Sequence, residues 1–379
     1  MRFTRPILGA AGALAALALA APAAFATPAS HAAPAKPSAS GAVFVQTDNL
    51  AANAIVAYKR SPQGRLSKAG TYKTGGKGGA LAGAKVDFLA SQGSLALDPE
   101  AGLLFAVNAG SNTITEFAVD GTKLTREAVV PSGGQFPASI AVHGETLYVL
   151  NARGGGSIQG YSLAGGKPKL MKGWNRPLGL DPNATPEFTH TPGQVAFTPD
   201  GSKLLVTTKG NTSAIDSFAI AADGSPAKTP VVTSLPEAVP FAVDFDAAGH
   251  VLVAEAGPNA VASFTLGSNG SLTPNGAAVP TGQEATCWIS HVGNAFFLSN
   301  AGSGTVSAFG AGGSALTPLG NTATNPGTVD SAVVGKFLYV QTGGEGVVDA
   351  FSVAPGGKLT PLGKVTVPNS VGGQGIVAD

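Results

Sequence analysis

SLALDPEAGLLFAVNAGSNTITEF, residues 94–117, holds the pattern from which the rest of the chain can be read. Ser94 to Leu97 is a short apolar run that stops at Asp98-Pro99-Glu100-Ala101-Gly102, a cluster of turn formers. A second apolar run, Leu103 to Asn108, and a third, Thr113 to Val119, flank Ala109-Gly110-Ser111-Asn112, where glycine and asparagine supply the positive backbone angles of a tight reversal. A more polar strand follows Gly121, from Lys123 to Val130, and Gly133-Gly134 then restarts the pattern. Four strands joined by short turns make one antiparallel sheet.

The second strand of this unit recurs as AVFVQTDN (42–49), LFAVNAGSN (104–112), LYVLNARGGG (147–156), LLVTTKGNT (204–212), VLVAEAGPN (251–259), FFLSNAGSG (296–304) and LYVQTGGEG (338–346). Asn108, Asn151, Thr208, Glu255, Asn300 and Gln341 are spaced by 43, 57, 47, 45 and 41 residues, the size of a propeller blade with one insertion. Six copies are preceded by a first strand: SLALD, SIAVH, QVAFT, AVDFD, WISHV and DSAVV. The N-terminal copy has none, whereas Gln374 to Asp379, QGIVAD, is a first strand with nothing after it. The expected fold is therefore all-β, a seven-bladed β-propeller over residues 42–379, closed by the C-terminal strand entering the N-terminal blade; that arrangement removes an open sheet edge. A β-helix or a sandwich is the alternative. The composition of 53 Gly, 27 Pro and only 12% charged residues agrees with a turn-dense β chain.

Ahead of the repeats, Arg2 and Arg5 precede an apolar run from Ile7 to Ala21 and then Ala24-Phe25-Ala26. The run is shorter than the roughly 20 residues of a bilayer span, so it reads as a signal peptide cleaved after Ala26 rather than as an anchor. Residues 27–41, rich in Ala, Pro and Ser, read as a flexible leader. The expected mature protein is secreted, monomeric and free of the membrane. Taking Arg2 and Arg5 from the 23 basic residues leaves 21 against 22 acidic, with no basic run, so nucleic acid is not an expected partner. Cys287, the single cysteine, cannot form an internal disulfide and reads as a buried, inert thiol.

Two stretches break the repeat: Gly75 to Ser91, and Trp174 to Gly193. Both connect the outer strand of one blade to the inner strand of the next. They open on the same face as the turns between second and third strands, where function is expected. Candidates on that face are Asn108, Asn151, Arg153, His190, Gln194, Lys209, Glu237, Glu255, Glu284, Trp288, Asn300 and Asp330. The asparagines are turn formers or ligand contacts. Lys209 and Glu255 occupy matching places in adjacent blades, as a structural ion pair or as cation and general base. His190 is an auxiliary acid or base, or a solvated loop residue; Arg153, Gln194, Glu284, Trp288 and Asp330 are ligand-binding candidates, with Trp288 alternatively capping the core. No His/Cys zinc spacing, nucleophile elbow or phosphate loop occurs, and Asp244 with Asp246 alone does not make a calcium site, so neither metal nor cofactor is expected.

FTPDGSKLLVTTKGNTSAIDSF (197–218), FLSNAGSGTVSAF (297–309) and residues 94–117 resemble the seven-bladed lactonase family, which includes 6-phosphogluconolactonases and carboxymuconate-lactonising enzymes. The resemblance extends over roughly 42–379 and implies arginine and histidine in the segments leading into inner strands, to hold an anionic lactone and move a proton. Here those segments read PGQVAF, VPFAVDF, ATCWIS and PGTVDS, with Gly193 and Phe241 where histidine and arginine are expected. Two functions follow: a secreted lactonase-like hydrolase or lactonising cyclase acting on a small molecule, or a non-enzymatic propeller that binds a small ligand, an extracellular polymer or a protein.

Overall fold

The computed structural model describes residues 40–312 and 315–379; the expected signal peptide (1–26) and the expected leader as far as residue 39 lie outside the described residues, and Gly41, expected in the leader, already belongs to the first strand Gly41–Gln46. Seven antiparallel sheets form the blades, six of four strands and one of five, in which Val279–Pro280 adds to the outer side of blade 5. In blade 2 the strands are Leu95–Asp98, Leu103–Asn108, Thr113–Asp120 and Lys123–Pro131, close to the runs read from sequence. The seven innermost strands are Ile376–Ala378, Leu95–Asp98, Gln135–His143, Val195–Phe197, Pro240–Phe245, Thr286–Val292 and Thr328–Val334, neighbours round a closed circle.

Closure comes from the C-terminal strand. Val43, Phe44 and Val45 pair with Ala378, Val377 and Ile376, so the chain's last strand is the innermost strand of its first blade. The two-residue period of each strand also builds the ring. In Gly41–Gln46, Val43 and Val45 pack toward blade 7 with Tyr339 and Val348, while Ala42 and Phe44 pack toward blade 2 with Leu104 and Phe117. The described residues contain seven buried apolar clusters, one for each blade–blade contact. A fully enclosed phenylalanine such as Phe44 contributes about 1.5–3 kcal/mol to such a contact.

The second irregular stretch is shorter than the sequence suggested. Trp174 belongs to the outer strand Lys169–Pro177 of blade 3 and stacks on Tyr148 at 6.2 Å, so the connection proper begins at Leu178. The first insertion closes the axial opening on the face it shares with that connection. Along it, Gly78 bonds to Asn49, Lys77 to Gly110, and Phe88 to Gly372. Gln92 then bonds to Gly193 and Gly93 to Ile140. The segment thus touches blades on every side of the axis and forms a plug. Among the described residues no helix is long and apolar enough to cross a membrane.

Candidate active site

Four innermost strands carry a β-bulge near their start, at Ala138, Phe241, Cys287 and Val329-Asp330, where two or more residues oppose one partner. A bulge bends the strand and re-aims its side chains. Phe241 and Cys287 thereby reach a cleft of about 340 Å³ between the plug, the 178–193 connection and blades 4–6. Its walls are mostly apolar: Val86 and Ala90 from the plug, Phe188 from the short helix Glu187–His190, and Val239, Phe241, Ala256, Cys287, Trp288 and Ala301 from the blades. Phe241 and Trp288 meet at 4.8 Å between ring centroids, and the Trp288 indole N–H donates to Ser91 O at 2.7 Å.

Three charged groups line the cleft, exposed Lys85 at the rim and two buried ones, Lys209 and Asp87. Lys209 is only 1% exposed, with a positive φ of 47° at the turn after its strand. Its ammonium donates to Ala90 O (2.5 Å), Phe188 O (2.6 Å) and Thr191 Oγ1 (3.1 Å), which commits all three of its protons, and it lies 5.4 Å from the centroid of the Phe241 ring. Lys209 therefore ties the plug to the 178–193 connection. Burial lowers its pKa, opposed by the charge of Asp87. Asp87 is pushed the other way by burial, with Lys209 holding it down; its Oδ1 accepts the Ala90 N–H at 2.9 Å. Burial likewise pushes up the Cys287 thiol and keeps it protonated.

Lys209 and Glu255 do not form the pair suggested by their matching positions. No ion pair joins them, and Glu255 is absent from the cleft lining. Glu255 shares the strand face of Val251 and Val253, which pack toward blade 4, and burial raises its carboxyl to about 7. His190 is also outside the cleft; its Nδ1 lies 2.9 Å from both Pro186 O and Thr189 Oγ1, beside a small cavity of about 30 Å³. Arg153 borders that same cavity, bonded through Nε to Glu187 Oε1 at 2.6 Å and stacked over Phe136 at 4.5 Å.

Most of the remaining ligand candidates are engaged inside the protein. Asn108 donates to Thr113 and Thr115, Asn300 to Thr305 and Ser307, Asn151 to Ser132 O, and Gln194 accepts from Val243 N. Asp330 accepts from Ser331 N at 2.9 Å, with the backbone of Ile376 and Gly93 beside it; burial raises it to about 7. These five residues are buried and face protein groups rather than the cleft. Trp288 lines the cleft, exposed Glu284 stands at its rim against Gly302, and exposed Glu237 lies in the turn before Val239. Asp244 and Asp246 pair with His291 and His250, each at 2.7 Å. The residues missed from sequence are Asp87 and Phe188, both on connections without periodicity. Their one signal was that they lie within the two insertions. Among the described residues no group of three or more His, Cys, Asp or Glu side chains is placed to hold a metal ion.

The ring of seven blades, with its plugged axis and a cleft on the plugged face, is a seven-bladed β-propeller. The chain belongs to the family described as Lactonase, 7-bladed beta-propeller, whose model matches residues 78–371. Among solved structures it is similar to a candidate 6-phosphogluconolactonase from Bacteroides fragilis, at 18% identity over 92% of this chain and 99% of that one, with a TM-score of 0.69. The periplasmic gluconolactonase of Pseudomonas aeruginosa aligns at 17% identity over 89% of this chain and 99% of its own, with a TM-score of 0.70. These likenesses establish the fold. A search of curated proteins by sequence gives no match.

Proposed function

We propose that the protein is an exported lactonase that hydrolyses a small, largely apolar lactone in the cleft between plug and blades. The observation that carries this reading is the cleft itself: apolar walls around two buried charges of opposite sign, on the face where the connections converge, in a lactonase-family chain. The apolar part of the substrate rests against Phe188, Phe241 and Trp288, and the ester carbonyl turns toward the charged groups. Lys209 contributes as a fixed positive field, because its N–H donors are already used. A phosphorylated lactone fits poorly, since a phosphate dianion calls for several cationic donors and the only other cation in the lining is exposed Lys85 at the rim. Export follows from Arg2, Arg5, the apolar run and Ala24-Phe25-Ala26.

The test is a panel of uncharged, carboxylated and phosphorylated lactones assayed with wild type and Ala256→Phe, after subtracting buffer hydrolysis. Uncharged lactones should be opened fastest, and Ala256→Phe should raise KM by narrowing the cleft. If wild type matched the buffer rate across the panel, or opened the phosphorylated lactones alone, this reading would fall. A wild type that bound lactones without opening them would make the protein a binding propeller.

A further inference from the structure

We infer that Asp87 is the general base that activates water in this cleft, and that Lys209 is the positioning residue that holds it there; this rests on the lactonase reading above. Asp87 is 7% exposed and lines the cleft from the plug. Its two oxygens differ. Oδ1 is fixed by the Ala90 N–H, whereas Oδ2 has no hydrogen-bond partner among the described residues and is not sealed from the cleft. One anchored oxygen and one open oxygen give an oriented acceptor for a water proton, the geometry a general base needs.

The backbone around Asp87 is held on both sides. Phe88 N–H donates to Gly372 O and its carbonyl accepts from Leu81 N–H, while Ala90 O takes a bond from Lys209. The charged and titratable groups facing Asp87 are Lys209 and Cys287 in the cleft, with Asp48 and Asp330 deeper along the axis. Lys209 favours the carboxylate; burial and the two other carboxyls oppose it. Burial therefore holds the Asp87 carboxyl above the range of a solvated aspartate, and the Lys209 charge draws it back toward the ionised form that can accept a proton.

The chemistry balances with water as the only co-reactant. Asp87 Oδ2 takes one proton from a water whose oxygen bonds to the lactone carbonyl carbon. The tetrahedral intermediate then expels the ring oxygen, and the proton held by Asp87 passes to that alkoxide. The product is the open hydroxy acid, which ionises to its carboxylate, and Asp87 is regenerated. Family arginines are not required for these steps when the substrate carries no anionic group.

The experiment compares wild type, Asp87→Asn, Asp87→Glu and Lys209→Met on the fastest lactone of the panel. The cyclic ketone of the same ring size serves as a non-hydrolysable probe, read by tryptophan fluorescence, since Trp288 lines the cleft. Asp87→Asn should lower kcat about 10²-fold to 10⁴-fold with ketone binding retained, the range for a lost general base. Lys209→Met should move the acidic limb of the kcat/KM profile to higher pH, because removing the cation raises the carboxyl's pKa. Should Asp87→Asn not fold, Asp87→Glu decides: a base displaced by one methylene should cost about 10-fold or more in kcat while binding persists. Wild-type turnover that survives Asp87→Asn, or Asp87 variants that lose turnover and ketone binding in parallel, would overturn the role of Asp87 and leave the lactonase reading standing. An inactive wild type would instead remove that reading, and the role of Asp87 with it.

Discussion

Gly193 stands where the lactonase resemblance implies histidine, and its surroundings leave no space for any side chain. A Cβ there would lie 2.4 Å from Phe241 O and 2.8 Å from Thr207 Oγ1. The absence of the family's histidine is thus built into the backbone between blades 4 and 5. Replacing Gly193 with His should destabilise the protein by about 1–3 kcal/mol or more, as overpacking does, without creating activity. The check is urea denaturation, in which the midpoint should fall with an unchanged slope; an unaltered midpoint would contradict the crowding. The asparagines show where single residues were legible. Asn108 is followed by Thr113 and Thr115, and Asn300 by Thr305 and Ser307, and each pair of hydroxyls accepts from its asparagine. A repeated hydrogen-bonding bracket leaves a repeated sequence, and both asparagines are the last residues of their strands, Leu103–Asn108 and Ala295–Asn300. Glu255 was misleading for the converse reason: its position repeats the asparagine place of other blades, but a matching position does not tell which face of a blade the side chain takes.

Strands were readable because every blade solves the same packing problem with the same period of two. The insertions were not, since successive parts of the plug meet different blades and no period arises. Asp87 therefore gave no signal beyond its place in the insertion, although that insertion lines the candidate site. Lys209 carries the strongest consequence at this scale. Lys209→Met would leave Ala90 O, Phe188 O and Thr191 Oγ1 without their donor and Asp87 without its counter-charge. Leaving a buried acceptor without its donor costs about 1–3 kcal/mol. Thermal melting should shift down accordingly, and hydrogen exchange should rise first in residues 83–93 and 187–191. A uniform rise over all blades would show instead that Lys209 supports the whole ring.

For the whole molecule, the buried carboxyls set a pH dependence. Burial raises Asp48 and Asp330 from 3.8 to about 7 in the folded chain. The folded state then binds protons that the unfolded state has released, so their contribution to stability is full below about pH 4 and is lost as pH rises through 7. Each pKa unit corresponds to about 1.4 kcal/mol. Melting temperature should therefore fall between pH 5 and pH 8, and Asp330→Asn should flatten part of that fall while wild type and variant stay closer at pH 5. Parallel curves for the two proteins would exclude Asp330 as a source.

The pairing of Ile376–Ala378 with Gly41–Gln46 also bears on how the chain is threaded. Asp379 N–H donates to Ala42 O, which brings the last residue beside the first strand of the described fold. Blade 1 is thus stitched from both ends of the sequence while the other six are each made from one continuous piece. In space the ring has no first blade: a covalent link from Asp379 to Gly41, with a cut at an exposed turn such as Gly165-Gly166, would permute the order of the sequence and leave every sheet with the same strands. Only one blade must wait for the whole chain to emerge before it is complete, and that blade would change with the position of the cut.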